Sequence, residues 1–172
     1  MNNIEFVKAS IRFNDSFSLI DINWTIEAGQ AWAIMGSSGS GKSALAAALT
    51  GAGDITSGLV NGIVTNAGVV SLESQAALIE RERLRDDSDI TDKINDGTPV
   101  REMLDEVSIN PELLAELINL FGLENLLNRG FRKLSTGETR KVLLSRALCS
   151  KPEMFIINGP FEGLDAQTVP LI

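Results

Sequence analysis

The chain has 172 residues, of which 44% are hydrophobic and 22% charged, and its formal net charge is −8. This length and composition predict one domain, residues 1–172, with enough apolar surface to bury a core. The acidic balance and the absence of a basic run argue against direct binding to nucleic acid or to an anionic membrane, because both depend on clustered Lys and Arg.

Cysteine and histidine content narrows the chemistry and the compartment. The single cysteine, Cys149, cannot form an internal disulfide, and the first residues lack the basic and long apolar segments of a secretion signal. No apolar run approaches the roughly 20 residues that cross a bilayer. We therefore expect a cytoplasmic protein that reaches the inner face of the cell membrane only through a partner. Histidine is absent, which removes the commonest general base and metal ligand.

The first third of the chain predicts β structure around one short helix. Alternating apolar residues predict strands at residues 4–13 and 17–26, and the continuous apolar run at residues 31–35 is typical of a central strand buried on both faces. Residues 42–49 predict a helix that glycines 51 and 53 stop. Residues 55–72, rich in Val, Ile and Gly, predict short antiparallel strands.

The remainder predicts helices and a last strand. The charged run at residues 80–92 indicates a solvated helix face or a surface loop. Thr98 and Asn110 each precede a proline, a pattern that predicts two capped helix starts, the second helix ending at Gly122. A further helix begins near Gly137 and ends before Pro152, and a strand follows at residues 154–157. This order predicts an α/β domain with a helical subdomain inserted at about residues 76–137.

A glycine-rich segment at residues 36–43, called the phosphate loop below, lies between the predicted strand and the predicted helix. Backbone N–H groups of such a turn can converge on phosphate oxygens at close range, where side chains would crowd one another. Lys42 would contact the β and γ phosphates, and the Ser43 hydroxyl would bind Mg²⁺. The alternative is a chance Gly/Ser-rich loop. The predicted phosphate-binding residues are Gly36, Ser37, Ser38, Gly39, Ser40, Gly41, Lys42 and Ser43.

Two further motifs carry a family resemblance. Residues 134–138 read Leu-Ser-Thr-Gly-Glu, called the signature segment below, and residues 163–165 read Gly-Leu-Asp. Following the phosphate loop in this order and spacing, they make nearly the whole chain resemble the ATP-binding cassette (ABC) ATPases, whose signature is usually Leu-Ser-Gly-Gly-Gln. The residues around the signature segment most resemble those of the first cassette in tandem-cassette, molybdate-transport members of the family.

The resemblance implies a P-loop NTPase core of ABC type with an antiparallel β subdomain. It also implies an incomplete cassette, truncated at the carboxyl end, because the family's switch histidine and final strands would come after residue 172. In such a family two cassettes, as a homodimer or as tandem domains, clamp one ATP head to tail. The phosphate loop of one cassette and the signature segment of the other would contact the same nucleotide.

The resemblance assigns further site residues. The signature residues Ser135, Thr136, Gly137 and Glu138 would direct helix-start N–H groups at the γ phosphate. Ser135 and Glu138 also read as a simple capping box, and both roles can hold because they use the same donors. Phe13 lies where the family stacks an aromatic ring on adenine, or is simply a core residue. Gln75 lies where a Mg²⁺-contacting glutamine is expected, with Ser74 as the rival by a one-residue shift.

The chain departs from the family at the second phosphate-site strand, which usually ends in Asp-Glu. Alignment on Pro160 and residues 163–165 puts Asn158 and Gly159 at these positions. Loss of an outer-shell charge typically lowers metal affinity roughly 10- to 100-fold, and loss of a general base slows the chemistry roughly 100- to 10,000-fold. Glu162, the nearest following carboxylate, lies beyond Pro160 and is not expected to substitute. No catalytic residue is therefore assigned.

Two functions fit these residues. One is the ATP-binding component of an ABC-type system, molybdate-related by the closer resemblance, which binds ATP and Mg²⁺ at an interface with a second cassette and couples to a membrane permease. The alternative is a non-hydrolysing nucleotide-binding module or fragment that acts as a regulatory or interaction domain. A P-loop kinase or GTPase is disfavoured, because no Asn-Lys-x-Asp motif occurs and the signature segment would be unexplained.

Overall fold

The computed structural model describes residues 3–85 and 96–159. The chain divides into two compact units, residues 1–67 and residues 68–172. The predictions made for Glu162 and for residues 163–165 lie outside the described residues.

The first unit contains an antiparallel sheet of strand order β2-β1-β3. Its strands are β1 (Ile4–Asn14), β2 (Phe17–Ile26) and β3 (Asp54–Asn61). Alternation along β1 buries Ile4 and Phe6, and after an irregularity in the pairing between Phe6 and Ala9 it buries Ala9 and Ile11. Helix α1 (Lys42–Ala48) begins at the end of the phosphate loop. The predicted strands at residues 4–13 and 17–26 and the predicted helix at residues 42–49 are therefore confirmed.

The apolar run at residues 31–35 is not a strand, so that prediction is wrong. The whole segment is exposed, with Trp32 at 55% and Met35 at 90% of their full exposure. A buried central strand needs hydrogen-bonded neighbours on its edges, and the described strands pair only as β2-β1-β3 and as residues 67–70 with residues 154–157. Hydrophobicity alone predicted burial here, but no described strand supplies a ladder.

The second unit is mainly helical. It contains α2 (Leu72–Leu84), α3 (Val100–Asp105), α4 (Pro111–Phe121) and α5 (Thr136–Cys149), with the paired strands β4 (Ala67–Val70) and β5 (Met154–Ile157). The predicted final helix and final strand are confirmed. Antiparallel pairing predicted over residues 55–72 holds for β3, which pairs with β1, but β4 belongs to a separate sheet with β5.

A continuous apolar core holds the second unit together. Helix α5 runs through it, and α3 and α4 pack against α5. Full burial of each large apolar side chain stabilises a fold by about 1.5–3 kcal/mol, which fixes the helix that carries the signature segment at its start. The core residues with at most 1% exposure are Val70, Val100, Met103, Leu104, Leu123, Val142, Leu144 and Cys149.

The prediction that the charged run is solvated is wrong at Glu82 of α2, which is only 1% exposed. Its Oε2 accepts a hydrogen bond of 2.8 Å from the backbone N–H of Thr98. Arg85 lies beside the same carboxylate, with Nη1 3.7 Å from Oε1. A buried carboxylate requires such partners, so Glu82 ties the end of α2 to the segment that precedes α3. The rest of the run, from residue 86, lies outside the described residues.

The two predicted proline-associated helix caps have different outcomes. Pro99, not Thr98, is the N-cap residue of α3, and no side-chain cap bond forms there. The helix predicted after Thr98 therefore forms, but the predicted side-chain cap does not, and the Thr98 N–H donates to Glu82 instead. Asn110 does cap α4: its Oδ1 accepts from the N–H groups of Glu112 at 2.8 Å and Leu113 at 3.2 Å.

Replacing Asn110 with alanine is expected to lower the free energy of unfolding by about 1 kcal/mol, because two N–H groups at the start of α4 lose their acceptor. Urea denaturation followed by circular dichroism measures the change. Thr98→Ala is the matched control and should shift stability by less than about 0.5 kcal/mol. Equal losses for the two variants would contradict the assignment of the cap to Asn110.

Within the residues that the structure describes, no helix has the length and apolar character needed to span a membrane.

Candidate functional site

The phosphate loop forms a tight exposed turn that leads into α1. Gly39 and Gly41 have φ angles of +79° and +93°, a region that favours glycine. The Ser40 N–H donates to the Ser37 carbonyl at 3.2 Å and closes the turn. Residues 36–40 are exposed to solvent. The glycines predicted from the sequence are thus used for their backbone freedom, and the loop is open to a ligand.

The ammonium group of Lys42 folds back over this loop. Its Nζ donates to the carbonyls of Gly36 at 2.8 Å and Ser37 at 2.7 Å. The contacts hold the positive charge directly above the turn, where it can meet an anion without a large movement of the side chain. Ser43 lies in the first turn of α1 and is exposed.

An aromatic pair lies beside the phosphate loop. The ring centroid of Phe13 is 6.3 Å from that of Phe17, with the rings tilted by 52°. A Cβ atom added to Gly41 would lie 3.4 Å from Phe17 Cζ and 3.2 Å from Leu19 Cδ2. Phe17 therefore lies next to Gly41 of the loop, and Phe13 lies on Phe17. Phe13 itself is half-buried.

The signature segment starts α5 with a complete capping box. The Ser135 N–H donates to Glu138 Oε2 at 2.7 Å, and the Glu138 N–H donates to Ser135 Oγ at 3.3 Å. The capping alternative is therefore realised. Ser135 and Thr136 remain exposed, and Gly137 and Glu138 are half-buried. The helix start is both capped and accessible.

Arg129 adds a cation to this cap. Its Nη1 lies 2.8 Å from Glu138 Oε1, and its Nη2 donates to the Lys133 carbonyl at 2.8 Å. The hydrogen bond from the Ser135 N–H lowers the pKa of the Glu138 carboxyl, and the charge of Arg129 acts in the same direction against partial burial. Glu138 is therefore ionised at neutral pH, and its charge faces a guanidinium.

Gln75 and Ser74 lie in the first turn of α2. The Ser74 hydroxyl is engaged in a second capping box, because the Ser71 N–H donates to Ser74 Oγ at 2.9 Å and the Ser74 N–H donates to Ser71 Oγ at 3.1 Å. Gln75 is half-buried beside it. The engagement of Ser74 favours Gln75 over its rival as an oxygen ligand.

The second unit also brings the ends of β4 and β5 together. The Asn158 N–H donates to the Val70 carbonyl at 2.9 Å, so Asn158 lies close to the start of α2. Gly159 has a φ of +68°. The two positions at which the family resemblance expects carboxylates are thus an amide and a left-handed glycine at this sheet edge.

Arg140 is the residue that sequence reasoning missed. It is 1% exposed, and its Nη2 donates to the carbonyls of Asn158 at 3.2 Å and Gly159 at 2.9 Å. A signal was available, because helical spacing of three and four residues puts Arg140 on the same face as the apolar Leu143 and Leu144. The buried guanidinium connects α5, and so the signature segment, to the end of β5.

The residues predicted to bind Mg²⁺, Ser43 of the first unit and Gln75 of the second, are each neutral. Ser43 and Gln75 offer a hydroxyl and an amide oxygen, and Asn158 stands where an acid is usual. Over residues 3–85 and 96–159, no group of three or more His, Cys, Asp or Glu could hold a metal ion. Mg²⁺ commonly binds through substrate phosphates and a few protein oxygens, so these residues fit a metal delivered with nucleotide phosphates.

Comparison with known proteins decides the family. A family model described as ABC transporter matches residues 19–162, which include the phosphate loop and the signature segment. The chain belongs to the ABC transporter family. The predicted ABC membership is thereby confirmed, and members of this family bind ATP with Mg²⁺ and typically pair with another cassette and a membrane permease.

Curated relatives within the ABC transporter family support the closer resemblance. The chain is 38% identical to the ABC transporter ATP-binding protein ModF of Escherichia coli strain K12, over 96% of this chain and 34% of ModF. It is 30% identical to the molybdate/tungstate import protein WtpC of Thermococcus kodakarensis, over 88% of this chain and 46% of that protein. The zinc import protein ZnuC of Vibrio cholerae is 28% identical, over 95% of this chain and 57% of that protein. The chain spans between a third and three fifths of these relatives.

Solved structures support the same fold. An ATP-binding subunit of an ABC transporter matches with a TM-score of 0.73 and 17% identity, over 98% of this chain and 71% of that one. The cbiO1 protein of Clostridium perfringens, part of the ABC transporter complex cbiONQ, matches with a TM-score of 0.67 and 21% identity, over 98% and 69%. The predicted α/β P-loop fold of ABC type is therefore confirmed.

In this ABC-family chain the candidate residues fall into two groups. The first unit brings together the phosphate loop, Lys42 and the Phe13–Phe17 pair. The second unit brings together the start of α2, Asn158, Gly159 and Arg140, and Arg140 lies about one helical turn after the signature segment on α5.

Proposed function

We propose that this chain is the ATP-binding component of an ABC-type transport system. One observation carries the proposal: the glycine-rich turn before α1 uses left-handed Gly39 and Gly41 and holds the Lys42 ammonium above it. An exposed glycine-rich turn beside a fixed cation suits a polyphosphate chain, which requires main-chain N–H donors and positive charge at close range.

The residues proposed to bind nucleotide and metal are assigned by their chemistry. Residues 36–43 bind the phosphates, with Lys42 at the β and γ phosphates, and Phe13 contacts the adenine ring beside Phe17. Ser43 and Gln75 provide oxygen ligands for Mg²⁺, which neutralises phosphate charge when it is bound. In this proposal residues 1–172 act as one nucleotide-binding domain, and residues 76–137 are its helical insert.

A second cassette completes the proposed site. The N–H groups at the start of α5 carry a partial positive charge, and Ser135, Thr136 and Gly137 are accessible there. In a head-to-tail pair they would meet the γ phosphate of a nucleotide held by the partner cassette's phosphate loop. The capping box keeps this helix start ordered, which lowers the entropy lost on association.

Hydrolysis is proposed to be slow. Gly159 has no side chain that could accept a proton from water, and Asn158 is neutral. The Arg140 guanidinium lies against their carbonyls and adds positive charge where the resemblance expects negative charge. ATP would therefore act mainly by holding two surfaces together.

Cargo and location are proposed from the relatives. The molybdate/tungstate import protein WtpC favours a molybdate-related cargo, while the zinc import protein ZnuC is a relative with a different cargo. We place the protein in the cytoplasm, at the inner face of the membrane when a permease subunit binds it, with no nucleic acid as a partner.

Titration calorimetry tests the proposal directly. ATP with Mg²⁺ is expected to bind the folded chain and to raise its melting temperature, because a ligand that binds only the folded state stabilises it. GTP and inorganic phosphate are the comparison ligands and should bind more weakly. A folded sample that shows neither heat nor a thermal shift with ATP and Mg²⁺ contradicts the proposal.

The second candidate function is a nucleotide-binding module that never hydrolyses ATP and serves as a regulatory or interaction domain. Asn158 and Gly159 favour it, because they remove both expected carboxylates. It shares the binding residues of the first candidate, so turnover measured on the ATP-bound protein separates the two.

A further inference from the structure

The ion pair between Arg129 and Glu138 lies at the start of α5, where the proposed function requires a phosphate to approach. Glu138 Oε2 accepts from the Ser135 N–H at 2.7 Å, and Glu138 Oε1 lies 2.8 Å from Arg129 Nη1. Both carboxylate oxygens are therefore occupied by the cap and the guanidinium. The Arg129 side chain is 44% exposed and the Glu138 side chain is 28% exposed, so an approaching partner can reach both.

An ionised carboxylate in the first turn of a helix stabilises that helix but opposes an anion at the same place. Two negative charges a few ångströms apart near a protein surface repel each other, and salt screens this repulsion only in part at such short range. Glu138 alone would therefore weaken phosphate docking at the start of α5. A cation bonded directly to that carboxylate offsets the repulsion.

Two other cations near this helix start, Lys133 and Arg140, have partners away from Glu138. Lys133, four residues after Arg129, forms an ion pair with Asp96 at 2.8 Å. Arg140 of α5 is directed to the carbonyls of Asn158 and Gly159. Arg129 is also fixed in place by its hydrogen bond to the Lys133 carbonyl at 2.8 Å. Its guanidinium is thus oriented on the cap by two contacts.

We propose that Arg129 is a positioning residue for nucleotide-driven association: by neutralising Glu138, it allows the start of α5 to accept the γ phosphate of an ATP bound by a second copy of the cassette. The inference rests on the proposed function and adds a specific role for a residue outside the phosphate loop and the signature segment. Arg129 acts through Glu138 and is not itself required to contact the nucleotide.

Sedimentation velocity of the full chain with a non-hydrolysable ATP analogue and Mg²⁺ tests this role. Arg129→Gln is expected to weaken nucleotide-dependent association about tenfold, which corresponds to about 1.4 kcal/mol. Glu138→Gln should strengthen association about threefold, because glutamine retains an oxygen for the Ser135 N–H and removes the negative charge. The double variant should return to within about threefold of the unaltered chain.

Arg101→Gln is the matched control, since Arg101 is an exposed arginine paired with Asp105 at 3.0 Å on α3, and it should leave association unchanged. A merely structural role for Arg129 predicts equal weakening in the single and double variants, and that result overturns the proposal. So does an Arg129→Gln protein that associates normally.

Calorimetry with the same analogue distinguishes a failure of the role of Arg129 from a failure of nucleotide binding. If the unaltered chain binds the analogue but stays monomeric, the role of Arg129 is overturned while nucleotide binding stands. If the folded chain does not bind the analogue, the proposed function fails and the role of Arg129 fails with it.

Discussion

Replacement of Lys42 by alanine is expected to weaken ATP binding about 10- to 100-fold, because a charge-assisted contact contributes about 1.5–3 kcal/mol. The ammonium now bridges the carbonyls of Gly36 and Ser37 at 2.8 and 2.7 Å. These exposed carbonyls can bind water when the side chain is removed, so the unliganded protein should lose little stability. Titration calorimetry measures the loss of affinity, and thermal unfolding without ligand checks the fold.

Lys8→Ala serves as the control for Lys42→Ala. Lys8 is an exposed lysine of the same unit, on β1, and its removal changes the net charge by the same amount. ATP affinity should change less than about twofold for this variant, since screening at physiological ionic strength limits exposed charges to a range of about 8 Å. Equal weakening in the two variants would mean that Lys42 acts only through net charge.

Steady-state ATP hydrolysis by the unaltered chain is expected to lie near background, and introducing both carboxylates by Asn158→Asp and Gly159→Glu should raise it at least about tenfold. A general base contributes roughly 100- to 10,000-fold, but the gain is reduced here by the backbone. Gly159 has a φ of +68°, and a residue with a Cβ pays about 1–2 kcal/mol in that conformation. Phosphate release measured at saturating ATP and Mg²⁺ reports the change.

Gly159→Ala is the matched control for the backbone effect. It introduces the same strain without a carboxylate, so it should lower stability without raising turnover. If the double variant folds and shows no gain, the strand position assigned to Asn158 and Gly159 is wrong. Turnover typical of an ordinary cassette ATPase in the unaltered chain, abolished by Lys42→Ala, would contradict slow hydrolysis.

Local patterns were sufficient wherever a short segment determines its own structure. Asn110 before Pro111 predicted a capped helix, and Oδ1 of Asn110 does accept two N–H groups there. Ser135 and Glu138 predicted a capping box, which forms with both bonds. The glycines of the phosphate loop predicted a tight turn, and the turn forms with Gly39 and Gly41 at positive φ. In each case the partners lie within a few residues, so spacing alone specifies the bond.

Other features depend on partners distant in sequence, and the sequence misled there. Thr98 has the same Thr-Pro pattern as a cap, yet its N–H is directed to Glu82, sixteen residues earlier. The apolar run at residues 31–35 has the composition of a central strand but finds no described strand beside it. Hydrophobicity indicates which residues can be buried, but it does not supply the hydrogen-bonded neighbours that a strand requires.

The sequence by itself determined the phosphate loop, the signature segment, the family to which they point and the absence of two carboxylates, because these depend on residue identity and spacing. Only the tertiary structure decided that Arg140 is directed to the Asn158 and Gly159 carbonyls, that Gly159 is left-handed, and that Arg129 pairs with Glu138. Those contacts join residues brought together by the packing of α5, and a buried or paired charge acquires its role from the groups that face it.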